Sequence, residues 1–256
     1  MAGSTVLVSG ASGGIGRATA RAFAAEGARL ALCCHEGIDP LESLVRELEA
    51  ESVLLQGDLR DEKQVERVFA EAEKAFGRLD AIVVNAGIWI ARPAPLHELC
   101  LEQWQETMES DLTSAFLTCR AYLGQLAREP GEHASIVLVG SSAALFGEAG
   151  HADYAAAKAG LAHGLTLTLK NEIVGLAPRG RVNCVCPGWV ETPMTLDSLR
   201  DRELVERAMD TMSLRKVASS EDVARAIVFL SSDRLAGHVS GAVLPVTGGM
   251  EGRRLR

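Results

Sequence analysis

Short apolar runs alternate with longer amphipathic stretches along the whole chain. Six runs have the length and β-branched character of buried strands, and they occupy residues 6–8, 30–32, 53–55, 81–84, 136–139 and 182–185. A seventh run at 242–246 predicts a closing strand. Between the runs, apolar residues recur at helical spacing, which predicts helices over residues 16–25, 41–50, 62–76, 101–128 and 154–176. This alternation predicts an α/β fold with a doubly wound parallel sheet that helices cover on both faces.

The alternation runs from one end of the chain to the other without a linker, a repeat or a low-complexity tract. We therefore predict one domain over residues 1–256. Only residues 189–213 depart from the pattern, because this segment is rich in charges and Met and follows Pro187 and Gly188. In a doubly wound fold, an insertion at the carboxyl end of a strand lies over the ligand crevice. The segment is therefore predicted to be a substrate lid.

Composition narrows the function without naming it. A hydrophobic fraction of 47% and a charged fraction of 23% are ordinary for a globular protein, and the net charge of −8 argues against a nucleic-acid surface. The tail arginines Arg253, Arg254 and Arg256 are predicted to be a solvated end. No run reaches the roughly 20 apolar residues of a membrane span, and no leader pattern opens the chain. We expect a cytoplasmic protein without a membrane partner.

The six cysteines, at positions 33, 34, 100, 119, 184 and 186, include no C-x-x-C pair. No group of His and Cys has the spacing of zinc ligands. Free Cys is commonly buried, so these residues are predicted to be reduced core thiols and no metal site is expected.

A glycine-rich loop directly follows the first predicted strand. Residues 9–16 read Ser-Gly-Ala-Ser-Gly-Gly-Ile-Gly and lead into the first predicted helix. Glycine lets the backbone approach a phosphate closely, and a helix N-terminus offers it free N–H groups. The spacing G-x-x-x-G-x-G differs from the general fingerprint G-x-G-x-x-G. In its place between strand and helix, the loop predicts phosphate binding; the alternative is an ordinary turn.

Tyr154 and Lys158 stand four positions apart in one predicted helix, so the phenol and the ammonium share a face. A nearby cation is expected to lower the pKa of Tyr154 below its usual value of about 10 and to let it exchange a proton near neutral pH. Ser141, at the end of a predicted strand, can hydrogen-bond a substrate oxygen. The alternative is an exposed Tyr–Lys contact without chemistry.

Together these features resemble the short-chain dehydrogenase/reductase family, including its bacterial 3-oxoacyl-carrier-protein reductases. The landmarks follow the family's order over nearly the whole chain; they are the glycine loop, Asp58, Asn85-Ala86-Gly87, Ser141, Tyr154 with Lys158, Pro187-Gly188 through Thr192, and Val-Thr-Gly-Gly at 246–249. The resemblance implies a single-domain Rossmann-type fold. It also implies an NAD(P)(H)-dependent oxidoreductase that interconverts a carbonyl and an alcohol by transferring a hydride between nicotinamide and substrate.

The resemblance further implies roles for single residues. Tyr154 would be the general acid and base, Ser141 would polarise the substrate oxygen, and Lys158 would bind the nicotinamide ribose and tune Tyr154. Asp58 would contact the adenine. The positions that match the family's cofactor site are Gly10, Ser12, Gly13, Gly14, Ile15, Gly16, Cys34, His35, Asp58, Leu59, Asn85, Ala86, Gly87, Tyr154, Lys158, Pro187, Gly188, Val190 and Thr192.

Asp111 departs from the family's pattern, which usually has Asn at this fourth catalytic position. In the family, that Asn helps to hold a water that relays protons to the lysine. Asp also accepts a hydrogen bond from water, but it adds a negative charge and loses a donor. We hypothesise that Asp111 keeps the relay.

The cofactor choice depends on the end of the second strand. NAD-specific members typically place an acid where this chain has Cys34, and such an acid repels a 2′-phosphate. NADP-preferring members often carry Arg at the position of Gly13 or His35, and neither is Arg here. His35 can act as a donor, whereas the neighbouring Glu36 opposes a phosphate. The missing acid favours NADP(H), with NAD(H) as the alternative.

Substrate identity is left open by the sequence. The predicted pocket walls are mostly apolar and indicate a hydrophobic or modest-sized carbonyl compound; they are Trp89, Ile90, Leu145, Phe146, His151, Trp189 and Met194. The resemblance implies a homotetramer or dimer packed through the helices at 101–128 and 154–176. Alternatives are a 3-oxoacyl-thioester reductase, a non-catalytic NAD(P)-binding regulator, and a sugar-nucleotide epimerase or dehydratase.

Overall fold

The seven predicted apolar runs pair side by side as parallel strands in a computed structural model that describes residues 1–253. Arg254 and Arg256 of the predicted solvated tail therefore lie outside the described residues. The strand order is β3-β2-β1-β4-β5-β6-β7, which confirms the predicted Rossmann-type sheet and its closing strand. The strands are β1 (Thr5–Ser9), β2 (Arg29–Cys34), β3 (Ser52–Gln56), β4 (Ala81–Val84), β5 (His133–Val139), β6 (Arg179–Pro187) and β7 (Val243–Val246).

Helices connect the strands and cover both faces of the sheet. They are α1 (Gly14–Ala25), α2 (Ile38–Glu47), α3 (Glu62–Phe76), α4 (Leu101–Thr107), α5 (Ser114–Arg128), α6 (Ala143–Phe146), α7 (Ala152–Ala159), α8 (Thr166–Glu172), α9 (Leu196–Arg200), α10 (Arg202–Met209), α11 (Ser220–Ser231) and α12 (Asp233–Ala236). The helix expected at 41–50 begins and ends three residues earlier, and α11 was not predicted. The signal that reveals α11 is its capping box, formed by Ser219 and Asp222.

The two long predicted helices are continuous but not uniform. π-helical turns, Met108–Thr113 and Gly160–Leu165, join α4 to α5 and α7 to α8. A π turn inserts an extra residue and commonly marks a functional position. The two turns lie against each other, because a Cβ at Gly160 would come within 3.0 Å of the Leu112 side chain. Asp111 lies in the first of these turns.

The core consists of two apolar layers separated by the sheet. Successive residues of β1 point to opposite layers, as the period of a strand requires: Leu7 joins one layer, and Val6 and Val8 join the other. Helices α3, α5 and α8 cover the first layer, and α1, α2 and α11 cover the second. The sheet is therefore buried on both faces, as its near-continuous apolar strands predict.

The chain reverses its direction of travel across the sheet between β1 and β4. It builds outwards from β1 to β3 and then returns to place β4 on the other side of β1. In open α/β sheets, the crevice at the carboxyl ends of the strands on either side of such a switch point is the usual ligand site. Within residues 1–253, no helix is long and apolar enough to cross a membrane.

We expect Ser219→Ala to lower the free energy of unfolding by about 1 kcal/mol, because the Ser219 side chain accepts a hydrogen bond from the Asp222 N–H and caps α11. Urea denaturation followed by circular dichroism measures the change. Ser43→Ala is the matched control, since Ser43 is exposed within α2 and its change to Ala favours a helix slightly. Equal unfolding midpoints for the two variants would contradict the capping role.

Candidate active site

A cavity of about 680 Å³ lies at the carboxyl ends of the central strands, at the switch point. Ser141 and every predicted cofactor position except Gly16 line it. Several further residues line the cavity that the sequence did not predict, among them Arg60 and Ile88. The predicted positions that line it are Gly10, Ser12, Gly13, Gly14, Ile15, Cys34, His35, Asp58, Leu59, Asn85, Ala86, Gly87, Tyr154, Lys158, Pro187, Gly188, Val190 and Thr192.

The glycine loop fits a bound dinucleotide. It ends at α1, whose first turn has neither a side-chain cap nor an acidic residue within residues 1–253. The N–H groups at this helix end are therefore available to phosphates, and the helix dipole favours an anion there. Gly16 lies beneath the loop, where a Cβ would collide with the Gly10 carbonyl oxygen. Gly16 thus shapes the loop from below, which explains why it does not line the cavity.

Asn85 ties the glycine loop to the end of β4. Its Nδ2 donates to the carbonyl oxygens of Ser9 and Gly10, each at 3.1 Å. The Ser9 hydroxyl in turn accepts from the Asn85 and Ala86 N–H groups at 2.9 and 3.1 Å. The two strand ends at the switch point are therefore held in one fixed relation, with the loop facing the cavity.

Where the cavity reaches the ends of β2 and β3, the carboxylate of Asp58 lies between two basic side chains, Arg60 and His35. Arg60 forks onto Asp58, with its Nη2 at 2.7 Å from Oδ2, and the His35 Nε2 lies 3.9 Å from the same oxygen. Hydrogen bonding from Arg60 is the main cause that lowers the pKa of Asp58. Asp58 is therefore ionised and can accept from an amino group such as that of adenine.

Ser141 and Tyr154 meet on the wall opposite the glycine loop. Ser141 stands two residues after β5, as predicted, and its Oγ accepts from the Ala143 N–H at 3.1 Å. Tyr154 lies in α7, and the neighbouring Ser141 side chain lowers its pKa, which favours the phenolate. The two hydroxyls can together bind one carbonyl or hydroxyl oxygen. Such a pair can orient that oxygen and exchange a proton with it.

Lys158 is buried behind Tyr154 with an acid beside it. Its Nζ lies 5.5 Å from the centre of the Tyr154 ring and donates to the Val139 carbonyl oxygen at 3.4 Å. Asp111 Oδ2 is 3.7 Å from the same Nζ, and both side chains are at most 5% exposed. Burial lowers the pKa of Lys158, but Asp111 and Tyr154 outweigh it, so the pKa is raised and the ammonium is retained.

Asp111, in the π turn Met108–Thr113, is held by a hydrogen bond from the loop that follows β4. Its Oδ1 accepts a hydrogen bond of 2.6 Å from the Ile88 N–H, whereas Oδ2 is buried and has no hydrogen-bond partner among residues 1–253. Burial raises the pKa of Asp111, and Lys158 and the Ile88 N–H oppose that rise. The carboxylate stays ionised, because protonating it would leave the Lys158 charge buried without a counter-ion.

The expected direction of the Tyr154 pKa is wrong. Burial raises it above the usual value; Lys158 lowers it, but the Asp111 carboxylate raises it again. The i, i+4 spacing correctly predicted that Tyr154 and Lys158 meet, and it contained no information about the acid on the other side of the lysine. At neutral pH the structure therefore holds Tyr154 as a phenol.

The predicted apolar pocket walls are mostly not at the cavity, since only Met194 of the seven lines it. Trp89 and His151 pack on each other beside it, with ring centres 5.1 Å apart, and His151 is buried. Five of the six cysteines are buried as predicted, but Cys100 is exposed. Among residues 1–253, no three His, Cys, Asp or Glu side chains gather as a metal site requires.

Comparison with known proteins relates the whole chain to dinucleotide-dependent enzymes. A family model described as enoyl-(acyl carrier protein) reductase matches residues 10–251. The chain is 36% identical to L-rhamnose 1-dehydrogenase (NAD(P)(+)) of Sphingomonas sp. (strain SKA58), over 97% of this chain and 96% of that protein. It is 34% identical to 3-oxoacyl-[acyl-carrier-protein] reductase of Thermotoga maritima, over 97% and 98% respectively.

A solved structure extends the likeness to three dimensions. The crystal structure of levodione reductase superimposes with a TM-score of 0.87 at 28% identity, and the match covers 97% of each chain. The likeness therefore includes the sheet, the helices on both faces and the segment after β6.

We expect Gly16→Ala to weaken NADPH and NADH binding at least tenfold, because the new methyl group must displace the Gly10 carbonyl and the loop above it. Quenching of tryptophan fluorescence measures the dissociation constants. Gly175→Ala is the matched control, a glycine that does not line the cavity and at which a Cβ would meet no atom within 4 Å. If both variants bind like the parent, the loop does not cradle the cofactor.

Proposed function

The chain belongs to the short-chain dehydrogenase/reductase family, and we propose that Tyr154, Ser141 and Lys158 carry its reaction. It is an NAD(P)-dependent oxidoreductase that interconverts an alcohol and a carbonyl. The observation that carries the proposal is their place, since all three line the same cavity as the glycine loop. A non-catalytic regulator would have no need to keep this group together.

The proposed roles follow from the contacts. When bound, the nicotinamide supplies or accepts the hydride. Ser141 and Tyr154 bind the substrate oxygen, and Tyr154 gives its phenol proton to that oxygen during reduction or takes it back during oxidation. Lys158, anchored at the Val139 carbonyl, orients ribose hydroxyls of the cofactor and stabilises the negative charge that develops on Tyr154.

Asp111 completes the proposed group as the holder of a proton-relay water. Its Oδ2 is buried and lacks a hydrogen-bond partner within residues 1–253, although Lys158 lies beside it. A buried oxygen of this kind is normally satisfied by protein or by water. A water at Oδ2 would link the lysine to solvent and restore the proton that Tyr154 loses.

We expect Tyr154→Phe to lower kcat by about 10²–10⁴-fold, the usual contribution of a general acid, while the cofactor dissociation constant stays within a few fold. Oxidation of NADPH and NADH with a panel of ketones, aldehydes and acetoacetyl thioesters supplies the assay. Tyr122→Phe is the matched control, because the Tyr122 hydroxyl donates to the Asp80 carbonyl oxygen at 2.8 Å, remote from the cavity. We expect this substitution to lower the free energy of unfolding by about 1 kcal/mol and to leave kcat unchanged. Full activity of Tyr154→Phe would refute the proposed acid.

The proposed cofactor preference is NADP(H). Cys34 ends β2 without the acid that would repel a 2′-phosphate, and the basic side chains of His35 and Arg60 line this end of the cavity. Glu36 opposes them, and NAD(H) is the alternative. The Sphingomonas relative is named for both forms, NAD(P)(+). This agrees with a chain that has no Asp or Glu at position 34 and whose Arg60 is paired with Asp58.

We expect kcat/KM to be higher for NADPH than for NADH, and we expect His35→Asp to lower the value for NADPH at least tenfold while that for NADH falls less. The new carboxylate would face a 2′-phosphate and add a second negative charge near Asp58. His35→Asn is the control without added charge. A higher kcat/KM for NADH than for NADPH in the parent protein would contradict the proposed preference for NADP(H).

The lid, the substrate class and the assembly are also proposals. Residues 189–213 contain α9 and α10 and bring Met194 to the cavity, which supports a lid over a modest-sized carbonyl substrate. The Thermotoga relative is named for a 3-oxoacyl substrate, so a 3-oxoacyl-thioester reductase is the second candidate. Exposed Phe116 and Leu167 on α5 and α8 support the proposed tetramer or dimer. The cytoplasmic location stays a prediction.

A further inference from the structure

The charges around Tyr154 add up differently with an aspartate at position 111 than with an uncharged side chain. Lys158 contributes one positive charge and Asp111 one negative charge, and both are buried within 3.7 Å of each other. With Tyr154 as a phenol, the buried group is neutral. With Tyr154 as a phenolate, it carries an uncompensated negative charge in a site that disfavours one.

The ion pair is built into the fold rather than formed by a flexible contact. Asp111 Oδ1 is fixed by the Ile88 N–H, and its helix position is set by the π turn Met108–Thr113. Gly87 makes room for the pair, since a Cβ there would come within 2.5 Å of Asp111 Oδ1 and 3.0 Å of Lys158 Nζ. Any side chain at position 87 would therefore collide with the ion pair.

The ammonium is turned to partners other than the tyrosine hydroxyl. Lys158 Nζ contacts the Val139 carbonyl, the Asp111 carboxylate and the face of the Tyr154 ring. Within the described residues 1–253, no hydrogen bond joins it to the Tyr154 hydroxyl. The Asp111 carboxylate therefore partly neutralises the charge of Lys158. An ammonium paired in this way stabilises a Tyr154 phenolate less than an unpaired ammonium would.

The other groups that face Tyr154 do not reverse this balance. The Ser141 side chain lowers the pKa of Tyr154 and favours the phenolate, whereas the Glu148 carboxylate raises the pKa. Glu148 comes from the loop before α7 and lies 3.9 Å from His151 Nε2. Asp153 acts on Asp111 and is itself bound by the Thr107 hydroxyl at 2.9 Å.

We propose that Asp111 holds Tyr154 in its protonated form near neutral pH, so that the enzyme is poised to reduce a carbonyl and oxidises an alcohol efficiently only at alkaline pH. This inference rests on the proposed role of Tyr154 as general acid and base. Asp111 acts through Lys158 and Tyr154 and is a positioning residue in this sense. It leaves the equilibrium of the overall reaction unchanged and sets the pH at which each direction runs.

The chain offers a direct measurement, because it contains only two tyrosines, Tyr122 and Tyr154. Ultraviolet absorbance at the tyrosinate band is recorded as the pH is raised, for the parent protein and for Tyr154→Phe, and the difference isolates Tyr154. Burial also raises the pKa of Tyr122, so its ionisation falls in the subtracted part. The parent should show Tyr154 ionising above the usual value of about 10.

Asp111→Asn is the decisive variant, because Asn has nearly the same shape and can still accept from the Ile88 N–H. We expect Tyr154 in this variant to bind its proton at least about tenfold more weakly, as removal of one nearby buried charge implies. In this variant, the Tyr154 phenolate and the Lys158 ammonium together carry no net charge. Asp153→Asn is the matched control, a second buried carboxylate beside Tyr154 in sequence, which should leave the titration unchanged.

Two outcomes overturn the inference: Tyr154 ionising at or below the usual value in the parent protein, or equal titrations of the parent and Asp111→Asn. The first needs no variant and so does not depend on whether Asp111→Asn folds. Activity supplies an independent reading, since the alkaline rise of alcohol oxidation should move to lower pH in Asp111→Asn. The absorbance titration needs no substrate, so a failure of the proposed reaction is seen separately as Tyr154→Phe without loss of turnover.

Discussion

A buried ammonium needs partners, and the need of Lys158 organises the site around it. An isolated charge removed from water costs several kcal/mol, so the lysine can be buried only where acceptors are already in place. Those acceptors come from two distant parts of the chain, the end of β5 at Val139 and the π turn at Asp111. The lysine therefore links the sheet to the two long helices and fixes the helix that carries Tyr154.

The same need connects the reaction to the fold as a whole. The π turn positions Asp111, the Ile88 N–H orients it, and Gly87 leaves space for it just after β4. Asn85, two residues earlier, holds the glycine loop by its carbonyl groups. A short stretch after β4 thus contacts both the glycine loop and the Asp111–Lys158 pair, and it links the two ends of one cavity.

Much of this could be predicted from the sequence. Apolar runs and helical periodicity are local signals, and they located all seven strands and the helix at 62–76 with its bounds. The resemblance to the family supplied the positions expected to bind the cofactor, and all of them except Gly16 line one cavity at the carboxyl ends of the strands. Only Gly16 acts from beneath the loop instead of lining it.

What the sequence did not predict depends on contacts between remote segments. The spacing of apolar residues along the two long helices does not reveal the π turns. These turns are in contact where Leu112 lies against Gly160. The direction of the Tyr154 pKa depends first on the burial of the tyrosine itself and further on Asp111, an acid from a remote segment of the chain. Of the side chains expected at the pocket, Trp89 and His151 pack on each other instead of lining the cavity.

The helices α9 and α10 bear on how such an enzyme diversifies. Neither helix contributes a buried side chain, so residues there carry little of the folding free energy. Substitutions in this segment therefore cost little stability, whereas a side chain at position 87 would collide with Asp111, and loss of Lys158 would leave the Asp111 carboxylate buried without its partner. The sequence of α9 and α10 can thus vary at little cost to the fold, while the buried Asp111–Lys158 pair constrains the residues around it.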